Sequence, residues 1–557
     1  MACPAVIKLD QVLETINNGI ATLDLVVIAL YFITVLGIGL WIASKTKTGE
    51  DLFLGGRSFG WGIIGLSLFA SNISTTTLIG LSGAAYTTGI VDSVYEWLSG
   101  VPLIISAAIF VPLYIKSRIT TIPEFLELRF DRRSRLFFSA ITIVTSILVD
   151  TAGGLYAGSL VLQIFFPDLI LWQTCLVLAV VAGLYTAFGG LKAVVYTDAI
   201  QAIVLIVGCS VLTYLMFERM DFDWGKVIAS APEGHFSVVR DLDHPSLPWT
   251  GLILGVPILG FWYWSTNQYI VQRVLGAKDV RNARGGVMLA GFLKIIPLFI
   301  MVIPGAMAIS LLPGLENGDQ VLPRAILTIL PVGMVGLVLA GLIAAIMSSV
   351  DSTLNSASTL VVKDFIDSRG HRATMTSSMV DGKSVVTDRR GSLTEAKVVR
   401  YGRITTVILM LIAAFWAPMI QYFPGVWSYL QQMFSIIVPP VVVVFLVGVF
   451  YKRGNGAGAF WTLVGGTALG VLLFVLGQVD VWPFHFTTNV GLMVAVSTVI
   501  FVVVSEATPA PDAAEIAELV YRPGLLDADE GATGLADWRV QATLLAVVMG
   551  SLLAYFW

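Results

Sequence analysis

The stretch FASNISTTTLIG, residues 69–80, sets Ser71, Asn72, Ser74, Thr75, Thr76 and Thr77 within seven positions of an apolar run. Such side chains compete with the hydrogen-bond ladder of a helix, so a cluster of them favours a local break. At membrane depth a broken backbone is tolerated where it lines a cavity or is buried in protein. The freed carbonyls suit a hard cation such as sodium, and discontinuous helices serve this purpose in secondary transporters. The alternative is hydroxyl packing between helices. A second run, AAIMSSVDSTLNSAST at 344–359, carries Ser348, Ser349, Asp351, Ser352, Thr353, Asn355 and Ser356. On a helix Ser348 and Ser352 share a face, and Ser349 points about 100° away. Two hydroxyl-rich segments far apart in sequence point to an ion site assembled between two helices. Five ionisable residues also lie at membrane depth: Glu96, Asp150, Asp198, Lys294 and Asp351. Each must face a cavity, an ion or another charge. For Glu96 and Lys294 a buried pair that only fixes packing is the competing reading.

The elements that position these residues are apolar throughout. Of 557 residues 56% are hydrophobic and 13% charged, and the mean hydropathy is +0.85. Soluble domains carry about twice that charge. Stretches of the ~20 residues that span a bilayer recur along the chain, giving about fourteen transmembrane segments, from 22–43 to 540–557. The sequence therefore predicts an all-α polytopic membrane protein in one transmembrane domain. The longest polar stretches are 218–248, 363–401 and 506–539, the last with a short amphipathic helix expected at 511–521. Basic residues concentrate in 116–135, in 271–285 (Arg273, Lys278, Arg281, Arg284) and in 363–403. The positive-inside rule places these loops in the cytoplasm and both termini outside. The acidic 506–539 loop runs against the trend. Cys3, Cys175 and Cys209 form neither a disulfide framework nor a zinc spacing, and the N-terminus does not read as a cleaved signal peptide.

Eight motifs occurring in order resemble the sodium–solute symporters, most closely their sodium–sugar branch. They are ASNIS (70–74), YEWLSG (95–100), IPEFLELRF (122–130), GLYTAFGGLKAVVYTDAIQ (183–201), YWSTNQYIVQR (263–273), FLK (292–294), MSSVDSTLNSAST (347–359) and YLQQ (429–432). The resemblance implies a LeuT-like fold of five helices (59–217) repeated inverted (249–451), preceded by 22–43 and followed by helices in 457–557. Breaks are expected at 69–77 and about 258–267. It implies a sodium site of the Ala70, Ile73 and Ala345 carbonyls with the Ser348 and Ser349 hydroxyls. A possible second sodium site would use Asp198, Ser348 and Ser352, with Asp351 either joining it or facing the cytoplasmic exit path.

For the solute the resemblance points to Asn72, Glu96, Ser99, Lys294 and Gln431, groups suited to a polyol's hydroxyls. Tyr263 matches an inner aromatic gate, and Tyr95, Trp427 and Leu81 match outer-gate positions. Thr77 and Gly260 stand where sugar members carry amides, so the pocket is expected to take a different sugar, a smaller polyol or another solute. The expected function is sodium-driven uptake of a sugar or related polyol across a plasma membrane. An acidic sugar, an amino acid or a carboxylate is the alternative, weakened because no arginine falls at a pocket position and Glu96 disfavours an anion. His235, His244, His371 and His485 lie in or beside loops without metal-ligand spacing, so an enzyme is not expected. A solute sensor would need an output domain beyond Trp557, and none is expected.

Overall fold

The computed structural model describes residues 20–44, 48–166, 168–315, 317–366, 378–380, 383–385, 393–423, 426–479, 481–482, 484–527, 529 and 531–557. Cys3, His371 and most of the basic 363–401 segment lie outside them. Apart from a hairpin pairing Ser378–Val380 with Lys383–Val385, the described chain is helical. The long helices are α1 (Thr22–Ala43), α2 (Trp61–Asn72), α3 (Thr75–Thr87), α4 (Ile90–Ser117), α5 (Arg132–Phe165), α6 (Leu171–Glu218), α7 (Trp249–Ser265), α8 (Gln268–Leu275), α9 (Val280–Leu311), α10 (Met334–Ile366), α11 (Ala396–Tyr422), α12 (Val426–Val442), α13 (Gly456–Gln478), α14 (Phe486–Ala507) and α15 (Trp538–Tyr555). Eleven spans among the described residues are long and apolar enough to cross a membrane, and α2 with α3 passes as a pair bent by 60°. Large apolar side chains such as Ile33, Phe415, Val475, Val499 and Val547 are exposed on the outside of this bundle, as a lipid-facing surface requires. The protein is a multi-pass membrane protein.

Two expected segments, 169–189 and 193–217, run together as α6. They are joined at Gly190, whose φ of +63° kinks the helix. A Cβ there would meet Leu52 at 2.8 Å, so glycine serves both the left-handed backbone and the close approach. The start of α10 is capped from a distance: the Asp24 carboxylate of α1 accepts the amides of Gly333 and Gly336 at 2.7 Å each, where a negative charge complements the helix dipole. The amphipathic helix expected at 511–521 is a single turn, Ala513–Ile516.

Four arginines that the sequence places among exposed loop charges are buried instead: Arg129, Arg135, Arg273 and Arg284. Their guanidinium groups answer helix-end carbonyls and acids. Arg129 donates to the carbonyls of Gly448, Tyr451 and Gly454 at 2.9–3.1 Å, at the end of the helical continuation of α12 through Phe450. Arg135 pairs with Asp364 at 2.6 Å. Arg284 pairs with Asp529 at 2.7 Å and covers Trp538, tying the 506–539 loop to α9.

Candidate functional site

The break between α2 and α3 arises from local chemistry. The Ser74 amide turns to the Asn72 carbonyl at 2.9 Å, so Ala70's carbonyl loses its helical donor. The Thr77 amide turns to the Ser74 hydroxyl at 3.1 Å, capping α3, so Ile73's carbonyl loses its own. The Thr75 hydroxyl donates to the Leu342 carbonyl of α10 at 3.1 Å, and Ala70, Ile73, Leu342 and Ala345 share one buried cluster. Ser349 donates to the Ala345 carbonyl at 3.0 Å. Two donor-poor carbonyls thus sit on the element that packs against the Ala345–Ser349 turn. A second break falls at Thr266–Asn267, where Asn267 accepts the Tyr269 amide and starts α8.

Beside this break lies a charged cluster with Asp198 of α6 at its centre. Its Oδ2 accepts from the hydroxyls of Ser67 (2.8 Å) and Ser71 (2.9 Å) and from Arg273 (3.1 Å). Its Oδ1 accepts from Ser348 at 2.5 Å. Arg273 also donates to Ser67 at 2.8 Å, to the Tyr269 carbonyl and to Ser352. Ser352 lies 3.2 Å from Asp351 Oδ1, and Asp351 Oδ2 has no partner among the described residues. Asp198, Arg273 and Asp351 are all 0% exposed. The guanidinium therefore pairs with Asp198, and a second buried acid, Asp351, lies beside it across Ser352 without an ion pair among the described residues. Reading Arg273 as a loop charge misses this cluster's only cation among the described residues. Its basic neighbours Lys278, Arg281 and Arg284 disguised it, while the polar run STNQ before it was the available signal of a helix break.

On the other side of the break a cavity of about 110 Å³ opens, some tenfold what one water needs on the same measure. Its wall includes Asn72, Thr77, Glu96, Ser99, Gly260 and Gln431 among the expected solute residues, together with Ser349 of the ion set. Ser348 and Ser352 face the charged cluster and Ser349 faces the cavity, as their spacing on α10 implies. Lys294 is expected at the solute but stands behind the wall, fully buried, donating to Glu96 and Asn72 and lying 5.7 Å from the Trp264 ring. Thr77 is engaged with the Asn72 carbonyl at 3.2 Å, and Ser99 with the Tyr95 carbonyl at 2.6 Å. A Cβ at Gly260 would meet Pro102 at 3.2 Å.

Of the gate positions, Tyr95 and Trp427 line the cavity and pack edge to face at 5.7 Å. Tyr263 lines it with its hydroxyl 2.6 Å from that of Tyr269. Leu81 is absent from the wall and packs in the apolar cluster beside Tyr95 and Trp427. The wall also contains Asp150, Trp262, Thr353 and Phe434. Of these the sequence singles out Asp150 and, within the second polar run, Thr353, with no place at a site. The apolar environment of Trp262 and Phe434 gives no hint that they face a cavity.

The family model for the sodium:solute symporter family matches residues 52–466. The human sodium/myo-inositol cotransporter 2 is 34% identical over 514 residues, covering 86% of this chain and 73% of that protein. A sodium/glucose cotransporter of Vibrio parahaemolyticus is 33% identical over 492 residues, covering 83% and 87%. Among solved structures, the substrate-bound outward-open state of a Na+-coupled sialic acid symporter superposes with a TM-score of 0.75 at 21% identity. It covers 88% of this chain and 99% of that one; the likeness is one of fold.

Proposed function

This chain belongs to the sodium:solute symporter family, and we propose that it takes up a sugar or related polyol by alternating access, driven by inward sodium flow. It is a transporter and not an enzyme. The observation that carries the solute class is the cavity wall: Asn72 and Glu96, both held from behind by Lys294, beside Gln431 and aromatic rings. Charge-assisted donors and acceptors hold hydroxyls that both give and accept hydrogen bonds. Relatives named for myo-inositol and glucose transport support the same class.

Sodium binds between the Ala70 and Ile73 carbonyls and the Ala345–Ser349 turn, in this reading. Bridging α2 to α10 orders the break and stabilises the outward-open state, so solute binds more tightly; the coupling is reciprocal. With both bound, Tyr95 and Trp427, backed by Leu81, close the outer side, and Tyr263 with its Tyr269 partner opens the inner side. Each charge moved inward gains about 2.3 kcal/mol per 100 mV. A second sodium at Asp198, Ser348, Ser352 and Asp351 requires Arg273 to withdraw. With the guanidinium seated, the reading is one sodium per solute. In this reading the helices bent at residues 73–74 and 266–267 correspond to each other in two inverted five-helix repeats, and α1 with α13–α15 flank this core. Counting the bent pair, the shorter α7 and both halves of α6 as spans gives fourteen, with both termini outside a plasma membrane.

The test is a sodium-gradient uptake panel in proteoliposomes: glucose, galactose and myo-inositol against an acidic sugar and an amino acid. Sodium-dependent accumulation of a neutral polyol supports the reading. Accumulation of only the anionic or zwitterionic solutes overturns the solute class and retains the family.

A further inference from the structure

One carboxylate in the cavity wall has no part in that cycle. Asp150 is half-buried on the wide turn Ser146–Thr151 of α5 and lines the cavity. Among the described residues no hydrogen bond or ion pair reaches it. The only other charged side chain in the wall, Glu96, is answered by Lys294. The cavity wall therefore holds one carboxyl without a counter-charge among the described residues, and a cation entering this confined volume is what would favour its ionised form.

The backbone places that carboxyl close to the ion-binding turn. A wide turn inserts one residue and rotates the rest of the helix by about 100°, and here the Thr151 hydroxyl closes it on the Ser146 carbonyl at 2.6 Å. With its own proton on Ser146, the same hydroxyl accepts from that of Thr353 at 2.7 Å, and Thr353 lies 2.9 Å from the Ser349 carbonyl one turn back on α10. Asp150 is thus one residue from a direct tie to the turn that carries Ser349, and Thr353 and Ser349 line the same volume. The ligands proposed for the first sodium are all neutral, so Asp150 is the one carboxyl on their shared cavity without a cation partner among the described residues. Tyr95, Trp262, Tyr263 and Trp427 add ring faces that favour a cation.

We propose that Asp150 is a cation subsite in the wall of the solute cavity. It takes a monovalent cation, either sodium passing between the cavity and Ser349 or an ammonium substituent on the solute. The inference rests on the reading of this cavity as the sodium–solute site. The variants are Asp150→Asn and the smaller Asp150→Ser, so that poor folding of one leaves the other informative. In the first arm, full-length protein without solute is titrated with sodium against potassium at constant ionic strength. Binding is read by radiolabelled sodium and by fluorescence of the cavity tryptophans. If sodium is the occupant, the half-saturating concentration rises about three- to tenfold in the variants. In the second arm, glucosamine and glucose compete for uptake at a pH where the amine is charged. If an ammonium group is the occupant, the protein favours glucosamine and the variants lose that preference. Either shift supports the proposal and identifies the source of the cation. No change in either arm overturns it. If the protein takes up no sugar while the sodium shift persists, the sugar reading fails and the Asp150 subsite stands.

Discussion

The buried charge cluster makes an asymmetric prediction. Asp198 and Arg273 are paired at 3.1 Å with neither side chain exposed, and Asp351 lies close enough to feel both charges. Arg273→Met leaves the buried Asp198 carboxylate with no cation, next to a second buried acid at Asp351. Breaking a buried pair this way costs about 3–5 kcal/mol. Asp198→Asn instead leaves Arg273 with its bonds to Ser67, Ser352 and the Tyr269 carbonyl and with Asp351 as a nearby acid. The amide oxygen can serve the Ser67, Ser71 and Arg273 donors, and the Ser348 hydroxyl can rotate to accept from the amide nitrogen. That leaves the loss of charge-assisted bonds, about 1.5–3 kcal/mol. The arginine variant should therefore be the less stable by roughly 1–2 kcal/mol on the same two estimates, and the double variant should cost less than the sum of the singles. Unfolding in detergent followed by tryptophan fluorescence measures all three at fixed sodium. Equal losses, or a larger loss for Asp198→Asn, would refute the assignment of Arg273 as the cation that holds Asp198 in place beside Asp351.

Other substitutions probe the remaining parts. Ser349→Ala should raise the half-saturating sodium concentration for uptake about three- to tenfold, as expected for one lost neutral ligand of about 1 kcal/mol, with little change in carrier number; an unchanged sodium dependence removes Ser349 from the ion site. Glu96→Gln, which takes the carboxylate from a fully buried Lys294, should weaken solute binding about tenfold while sodium binding persists; isothermal titration of solute with and without sodium checks both. His485 caps α14, its Nδ1 accepting the Thr487 amide, and burial, with a smaller push from His244, lowers its pKa from 6.5 to about 4. A depressed histidine pKa means the unfolded chain takes up the proton first, so stability is full above about pH 6.5 and falls progressively toward pH 4. His485→Gln should flatten that acid-side loss in melting midpoints, and an identical slope would show that another group sets it.

The helix break and the hydroxyl faces of the proposed ion side were legible in the sequence, because their signals are local. The run ASNIST breaks a helix through its own side chains, and the Ser74 cap that diverts the Thr77 amide is encoded within four residues. The spacing of Ser348, Ser349 and Ser352 fixes which face each one takes on α10. The features that stayed hidden depend on distant packing. Arg273 looks like one of four bases in a loop until α8 folds it against Asp198. Lys294 reads as a solute ligand until its contacts with Glu96 and Asn72 place it behind the wall. Asp150 reaches the cavity through a wide turn, which shifts register without a distinctive residue pattern. Leu81 supports the outer aromatic pair instead of facing the cavity, a distinction helical periodicity does not resolve at so apolar a site.

The central claim is that sodium and solute act on one bistable element, the α2–α3 break held against α10. The most direct test measures the affinity of each with and without the other in the purified protein. Solute binding should tighten on replacing potassium with sodium, sodium binding should tighten by the same factor on adding solute, and Ser349→Ala should shrink both factors together. A solute affinity indifferent to sodium would contradict the claim, whatever uptake the protein supports.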